Sequence, residues 1–416
     1  MSEVPPGRLR ICILSYRGNP HCGGQGIYIR YLSRALKDLG HQVDVVSGPP
    51  YPRLDDGVRL FKLPSLDLYN PQNLFRMPSL RELSNPINLI EWLEVSTMGF
   101  PEPRTFGIRA RRFLNGTYHR YDIIHDNQSL SYSIGCIRRI MPTIATIHHP
   151  ITIDRDLAIR SVSSFWHKLK QLRWYSFVGM QKRVSRALPC IITVSNRARE
   201  DISQAFRIPR EKFRVIPNGI DTARFCPSPG IRRQGVIALS GADMPLKGLK
   251  YLLKAVAKIS GRRKIRLTIV GRPPKDAHIL KIVKALGLQG SVNFTGTVSD
   301  SRLADLYSRA AVAVIPSVYE GFGFPAGEAM ACATPVISTT AGALPELVGD
   351  AGLLVPPADS DALAHAIVDL LDHPQKAASM GQAGFNRIHR RFTWQKAARQ
   401  YVEAYQEVIC DYHRLQ

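Results

Sequence analysis

Ser317-Val-Tyr-Glu-Gly-Phe-Gly-Phe-Pro-Ala-Gly-Glu-Ala-Met-Ala-Cys-Ala-Thr-Pro335 sets two glutamates, Glu320 and Glu328, eight residues apart across a glycine-rich turn. The run before it, Ala311 to Ile315, is β-branched and too short for a helix, so it reads as a strand buried on both faces. Glu320 then lies at the carboxyl end of that strand, where open α/β sheets place their ligands. Gly321, Gly323 and Gly327 permit a tight turn and a close approach of ligand to backbone. Pro325 suits the first position of a new helix, which puts Glu328 in the first turn of a helix running to about Ala333. The free amides and positive end of such a helix make a seat for a phosphate. A carboxylate beside that seat repels phosphate, and its use is to accept hydrogen bonds from neutral hydroxyls. A nucleotide sugar carries hydroxyls on both sides of its pyrophosphate.

This stretch, followed by Thr334-Pro335-Val336-Ile337 and Gly342-Ala-Leu-Pro-Glu346, resembles the E-x7-E signature of the retaining glycosyltransferases of family 4. The resemblance implies an α/β GT-B fold: two Rossmann-like domains facing each other across a cleft, with the final helix crossing back to the first. It gives Glu320 the hydroxyls of the transferred sugar and Glu328 the ribose of the nucleotide. Gly321, Phe322, Gly323 and Phe324 line the donor with them. The plainer reading of the same residues is a strand, a turn and a capped helix, with Glu328 complementing the helix dipole.

At 416 residues the chain suits two domains of roughly 200 residues each. The resemblance divides it into an acceptor-binding domain 1–218, a linker 219–232, a nucleotide-sugar domain 233–392 and a returning helix 393–416. A net charge of +23 favours anionic partners, whether nucleic acid, phosphate-bearing substrates or an anionic membrane face. The seven cysteines are scattered, with no C-x-x-C pair, so neither a disulfide framework nor a zinc site is indicated. No signal peptide opens the chain and no apolar run is long enough to span a bilayer, so the expectation is a cytoplasmic enzyme, peripheral on the inner face of the membrane where it meets one.

Arg10 to Tyr16 reads as a strand, followed by a glycine-rich loop through Gly23, Gly24 and Gln25 and a helix from Ile27 to about Leu39. The loop lacks the G-x-G-x-x-G order and no acid ends the next strand, Val43 to Ser47, which counts against a nicotinamide cofactor. In family 4 this loop lies over the donor phosphate, a place that falls to Gly23 and Gly24. Residues 48 to 121 look irregular, with a helix near Ile87 to Glu94 and a basic run of Arg104, Arg109, Arg111, Arg112 and Arg120. The pattern resumes with strands at Asp122 to His125 and Thr143 to Ile147 around a helix over Ser129 to Arg139. His148, directly after the second of these strands, matches the family histidine near the donor sugar better than His149 does. A histidine capping a strand end is the alternative.

Leu157 to Arg199 holds nine Lys and Arg and no acid, interleaved with Trp166, Trp174, Tyr175, Phe177 and Met180. Such a segment suits an anionic bilayer surface, or a helix packed on the sheet with a charged outer face. Phe213-Arg-Val-Ile-Pro-Asn-Gly-Ile-Asp221 resembles the family's interdomain junction, and Cys226-Pro-Ser-Pro-Gly230 reads as linker. In the second domain, Lys247 matches the lysine that pairs with the donor pyrophosphate. Ala242-Asp243 stands where the family has an arginine, a contact that Arg272 is placed to supply. Thr297 and Val298 match the loop that holds the nucleotide base. No cofactor and no metal are implied, and the triplets Asp154-Arg-Asp156 and Asp359-Ser-Asp361 read as chance. The function implied is hexosyl transfer from a nucleotide diphosphate sugar, UDP-linked or alternatively GDP-mannose, to a lipid-linked or cell-envelope glycan. A sugar-nucleotide epimerase and a basic nucleic-acid-binding protein are the rivals.

Overall fold

The computed structural model describes residues 7–19, 24–70, 73, 76–160, 162–228, 235–239, 245–271, 273 and 278–414. The chain divides into two compact units: Met1–Val194 with Ala198–Ile216 and Ala397–Gln416, and Ser195–Arg197 with Pro217–Lys396.

The first unit is a seven-stranded sheet. In chain order its strands are β1 (Arg10–Ser15), β2 (Gln42–Ser47), β3 (Arg59–Lys62), β4 (Ile123–Asn127), β5 (Thr143–Ile147), β6 (Ile191–Thr193) and β7 (Phe213–Val215). They pair in the order β3-β2-β1-β4-β5-β6-β7, and every pair is parallel. Parallel strands joined by helical crossovers are covered on both faces, which is why β4 and β5 are buried at every residue. Helix Gly24–Asp38 opens three residues earlier than the hydrophobic pattern suggests, taking Gly24 as its first residue. The region 48–121 is more ordered than its prolines imply. It contains β3, a capped turn Leu80–Leu83, helix Pro86–Ser96 and helix Glu102–Leu114. The helix expected over Ser129 to Arg139 shrinks to Tyr132–Ile137, because Gln128 and Leu130 take left-handed backbone conformations that a helix does not admit.

The second unit is a six-stranded parallel sheet of β8 (Val236–Leu239), β9 (Leu267–Val270), β10 (Val292–Phe294), β11 (Val312–Ile315), β12 (Val336–Thr339) and β13 (Leu353–Val355), ordered β10-β9-β8-β11-β12-β13. Leu252, Val256, Ile269, Val312, Val314, Ile337, Leu363 and Ile367 form the centre of its core. Burying each such side chain contributes about 1.5–3 kcal/mol. The strand order reverses between β8 and β11, and at such a switch the loops leaving neighbouring strands diverge and open a crevice. The junction Pro217 to Ile220 closes on the end of this unit: Ile220 donates its N–H to the carbonyl of Phe392 at 2.8 Å. A Cβ on Gly219 would lie 2.2 Å from the Trp394 nitrogen. The last helix, Trp394–Arg414, belongs to the first unit from Ala397 onward.

Candidate active site

In the second unit, β11 delivers the chain to Glu320 at the reversal of strand order. Lys247, at the end of a short 3-10 turn after β8, reaches Glu320 Oε1 at 2.5 Å, and the Ser317 hydroxyl donates to the same oxygen at 2.9 Å. The backbone around the pair is braced from three sides. Val318 N–H donates to the carbonyl of Leu246 (2.7 Å), Thr339 Oγ1 to that of Ser317 (2.5 Å), and Ala343 N–H to that of Glu320 (2.9 Å). Two glycines make these approaches possible. A Cβ on Gly248 (φ +65°) would sit 1.9 Å from the Pro316 oxygen, and one on Gly342 (φ +58°) 2.1 Å from the Glu320 oxygen. Glu320 is therefore held by backbone as well as by its ion pair.

The helix after the turn runs Phe324–Ala331, with Gly323 at φ +100° as its N-cap. It starts one residue before Pro325, so Glu328 lies in the second turn rather than the first, and the helix ends short of Ala333. Glu328 is buried, at 8 % exposure. Burial first, and repulsion from Asp300 second, push its carboxyl up to about 8. Near neutral pH it is a carboxylic acid, able to donate one hydrogen bond and accept others. Phe322 turns inward against Phe324 (5.1 Å between ring centroids) and Phe392, and Phe324 stacks on Trp394 at 6.5 Å. Both rings take part in packing, with Phe324 partly exposed, and Gly321 between them and Glu320 is half-buried. Thr297 and Val298 lie on the loop between Gly296, which is bridged to Gly271, and the helix Asp300–Arg309. Arg272, Ala242 and Asp243 lie outside the described residues.

In the first unit, His148 follows β5 directly. Its Nε2 is 2.8 Å from Asn127 Oδ1, its backbone N–H donates to Gln128 Oε1 (2.9 Å), and Tyr28 meets its ring edge-on at 4.5 Å. Because an amide oxygen only accepts, Nε2 carries the proton and Nδ1 keeps a lone pair. Burial, then the neighbouring His149, drive the His148 pKa down to about 3, so the ring is neutral. His149 is engaged elsewhere, with Nε2 2.7 Å from Asp154 Oδ2. Gly24 is exposed at the first residue of its helix, and Gly23 lies outside the described residues. The aspartate triplets serve local structure: besides the His149 contact of Asp154, Asp359 caps the helix Ser360–Asp372 through the N–H groups of Asp361 and Ala362.

Two polar clusters of this unit were not legible as candidates. Buried His125 bonds Tyr405 and Thr146, each at 2.8 Å, and Tyr28 joins Tyr401 at 2.8 Å. At the carboxyl ends of β1, β2 and β3, Arg109 pairs with buried Glu91, and Glu102, 3.3 Å from Arg17, is raised to about 8 by burial. Two arginines of the basic run are thereby neutralised, since Arg104 also pairs with Glu94.

A family model described as Glycosyltransferase Family 4 matches residues 22–224, and one described as Glycosyl transferases group 1 matches residues 233–373. Among characterised relatives, an MMP α-(1→4)-mannosyltransferase from Mycolicibacterium hassiacum is 45% identical over 96% of this chain and 98% of its own. Among solved structures, sucrose-phosphate synthase from Thermosynechococcus elongatus is 26% identical, with a TM-score of 0.75 over 97% of this chain and 100% of its own. Anabaena HepE, solved in complex with UDP and glucose, is 19% identical, with a TM-score of 0.69 over 95% of this chain and 99% of its own.

Proposed function

The chain belongs to glycosyltransferase family 4 and is a GT-B glycosyltransferase; from that premise we propose that it moves a mannosyl group, with retention, from a nucleoside diphosphate mannose to a lipid-linked or cell-envelope glycan. The sugar is inferred from the mannosyltransferase that is 45% identical over 96% of this chain. An α linkage such as the one in that relative's name would be net retention if the donor is an α-linked nucleotide sugar, as proposed here. Mannose moves GDP-mannose ahead of the UDP-sugar that the sequence reading favoured. HepE, whose likeness extends to the fold alone, was solved with UDP, and it keeps uracil in the comparison.

The observation that carries the reading is the Lys247–Glu320 pair, 2.5 Å apart at the strand-order reversal. A pyrophosphate carries more negative charge than one carboxylate and would draw Lys247 to itself, leaving Glu320 to accept hydrogen bonds from sugar hydroxyls. Glu328 in turn would meet the ribose diol. In the transfer, the bond from the anomeric carbon to the phosphate oxygen breaks as the acceptor oxygen bonds to the same face of that carbon. The acceptor proton passes to the departing phosphate. Lys247 and the amides at the start of helix Phe324–Ala331 stabilise the charge that grows on the phosphate, the kind of contact worth on the order of 10²-fold in rate. His148, neutral and with Nδ1 unprotonated, is the proposed partner of a sugar hydroxyl. The proposed setting is the cytoplasm, peripheral on the inner membrane face, which the acid-free basic segment Leu157 to Arg199 would suit. No helix among the described residues is long and apolar enough to cross a bilayer.

Melting of the purified protein with GDP, UDP, ADP and NAD, each without metal, tests the donor. A ligand that binds only the folded state adds about 2.7 kcal/mol at one hundred times its Kd. A shift with GDP or UDP is expected. No shift, or one with NAD alone, overturns the reading.

A further inference from the structure

Leu157 to Arg199, free of carboxylates, contains two whole helices with different surroundings. Phe177–Ala187 buries Val178, Met180 and Val184 and packs against helix Tyr132–Ile137. Phe165–Trp174 buries none of its residues. Phe165 is 71% exposed, Trp166 74%, Leu169 47% and Leu172 51%. At 3.6 residues per turn, positions 165, 169 and 172 fall within about 60° of arc, with 166 at the margin and Lys168 and Lys170 flanking the stripe on either side. Trp174 lies on the opposite face and anchors the helix, with its ring 5.0 Å from Tyr69 and 5.1 Å from Phe100. Arg173 ties the same end to Thr97 at 2.9 Å. The apolar stripe is thus aimed away from the unit that carries it.

We propose that helix Phe165–Trp174 is a docking element that lies in the headgroup layer of an anionic bilayer, with Phe165, Trp166, Leu169 and Leu172 inserted and the lysines against the headgroups. The proposal deepens the lipid-linked acceptor half of the function above and rests on it. Exposed aromatic and aliphatic side chains lose water by entering the interface, and cations beside them are drawn to an anionic leaflet. A second copy of the chain is a poorer occupant, because a two-fold interface would set Lys168 and Lys170 of this helix against the same lysines of the other copy, like charge on like. A glycan would find stacking on Trp166 and nothing at Leu169 and Leu172.

The test is co-sedimentation of the full chain with phosphatidylcholine vesicles, with and without phosphatidylglycerol. Wild type is expected on the anionic vesicles alone, in a salt-sensitive manner. The double variants Phe165→Ser/Trp166→Ser and Lys168→Glu/Lys170→Glu should each lower partitioning on the order of ten-fold or more. Neither touches the core, so each should melt as wild type does and keep the nucleotide-induced shift. Loss of that shift in wild type would sink the donor reading and leave this one standing. Equal partitioning onto both vesicles, no partitioning, or variants that bind like wild type would overturn the docking proposal. So would concentration-dependent dimers that Phe165→Ser/Trp166→Ser dissolves, which would assign the face to a second copy.

Discussion

Replacing Gly342 by alanine should damage Glu320 without touching its side chain. The new Cβ would stand 2.1 Å from the Glu320 carbonyl oxygen, 2.9 Å from its nitrogen and 3.0 Å from its carbonyl carbon. Backbone atoms cannot swing aside as a flexible side chain does, so one of the two segments must move by roughly 1 Å to recover ordinary contact. The left-handed backbone at Gly342 costs alanine about 1 kcal/mol or more, and straining the 2.9 Å bond from Ala343 N–H to Glu320 adds about 0.5–1.5 kcal/mol. With the roughly 1–3 kcal/mol of overpacking included, the loss is about 2.5–5.5 kcal/mol, or roughly 5–20 °C in Tm for a unit of this size. If Glu320 positions the transferred sugar, a displacement of about 1 Å should also lower kcat/KM on the order of 10²-fold. Gly287→Ala is the control. It has φ +66° and nothing within 4 Å of the added Cβ, so it bears the conformational cost alone. Differential scanning fluorimetry and donor-turnover kinetics on both variants decide the matter. If Gly342→Ala melts and turns over like Gly287→Ala, the bracing of Glu320 is not what the reasoning says.

Glu328→Ala should abolish the nucleotide-induced rise in Tm, while Glu328→Gln should change how stability depends on pH. Burial raises this carboxyl from 4.5 to about 8, so across that window the folded chain holds a proton that the unfolded chain releases. Stability therefore falls as pH rises through it, by at most about 1.4 kcal/mol per pH unit for this group, and urea titrations at the two ends should show that slope flattened in the glutamine variant. Lys247→Ala should lower turnover on the order of 10²-fold and leave Glu320 without its cation; unchanged kinetics would remove both from the site. His125 carries the opposite sign. Burial lowers it from 6.5 to about 3, so the unfolded state gains a proton first and stability is lost as pH falls below 6.5. His125→Gln should make acid unfolding shallower by about one proton, read from the pH dependence of the urea midpoint.

Short apolar runs rich in β-branched residues are local signals, and β1, β2, β5 and β11 were readable from them. β3 was not, because Arg59–Lys62 is an edge strand with charged ends and half-exposed centre, which no apolar run marks. Helix Glu102–Leu114 was hidden for a related reason. Its arginines read as a basic run until Glu91 and Glu94, ten or more residues away, pair with two of them. The Tyr28–Tyr401 bond joins residues 373 apart, and only the return of the last helix brings them together. In the basic segment the composition was plain, yet which aromatic rings turn outward depends on Tyr69 and Phe100 taking Trp174 inward. The two glutamates show the limit most sharply. Their spacing follows from a turn and a helix, both encoded by nearby residues, and it says nothing of protonation. Glu320 is half-buried and meets a lysine 73 positions away, while Glu328 is enclosed and becomes a neutral acid. A seat that presents one charged and one neutral carboxyl repels a pyrophosphate less than two carboxylates would. That difference comes from the burial of Glu328 beside Asp300 and from the lysine that meets Glu320, none of which the spacing encodes, so the sequence motif and the chemistry it supports are separate inferences.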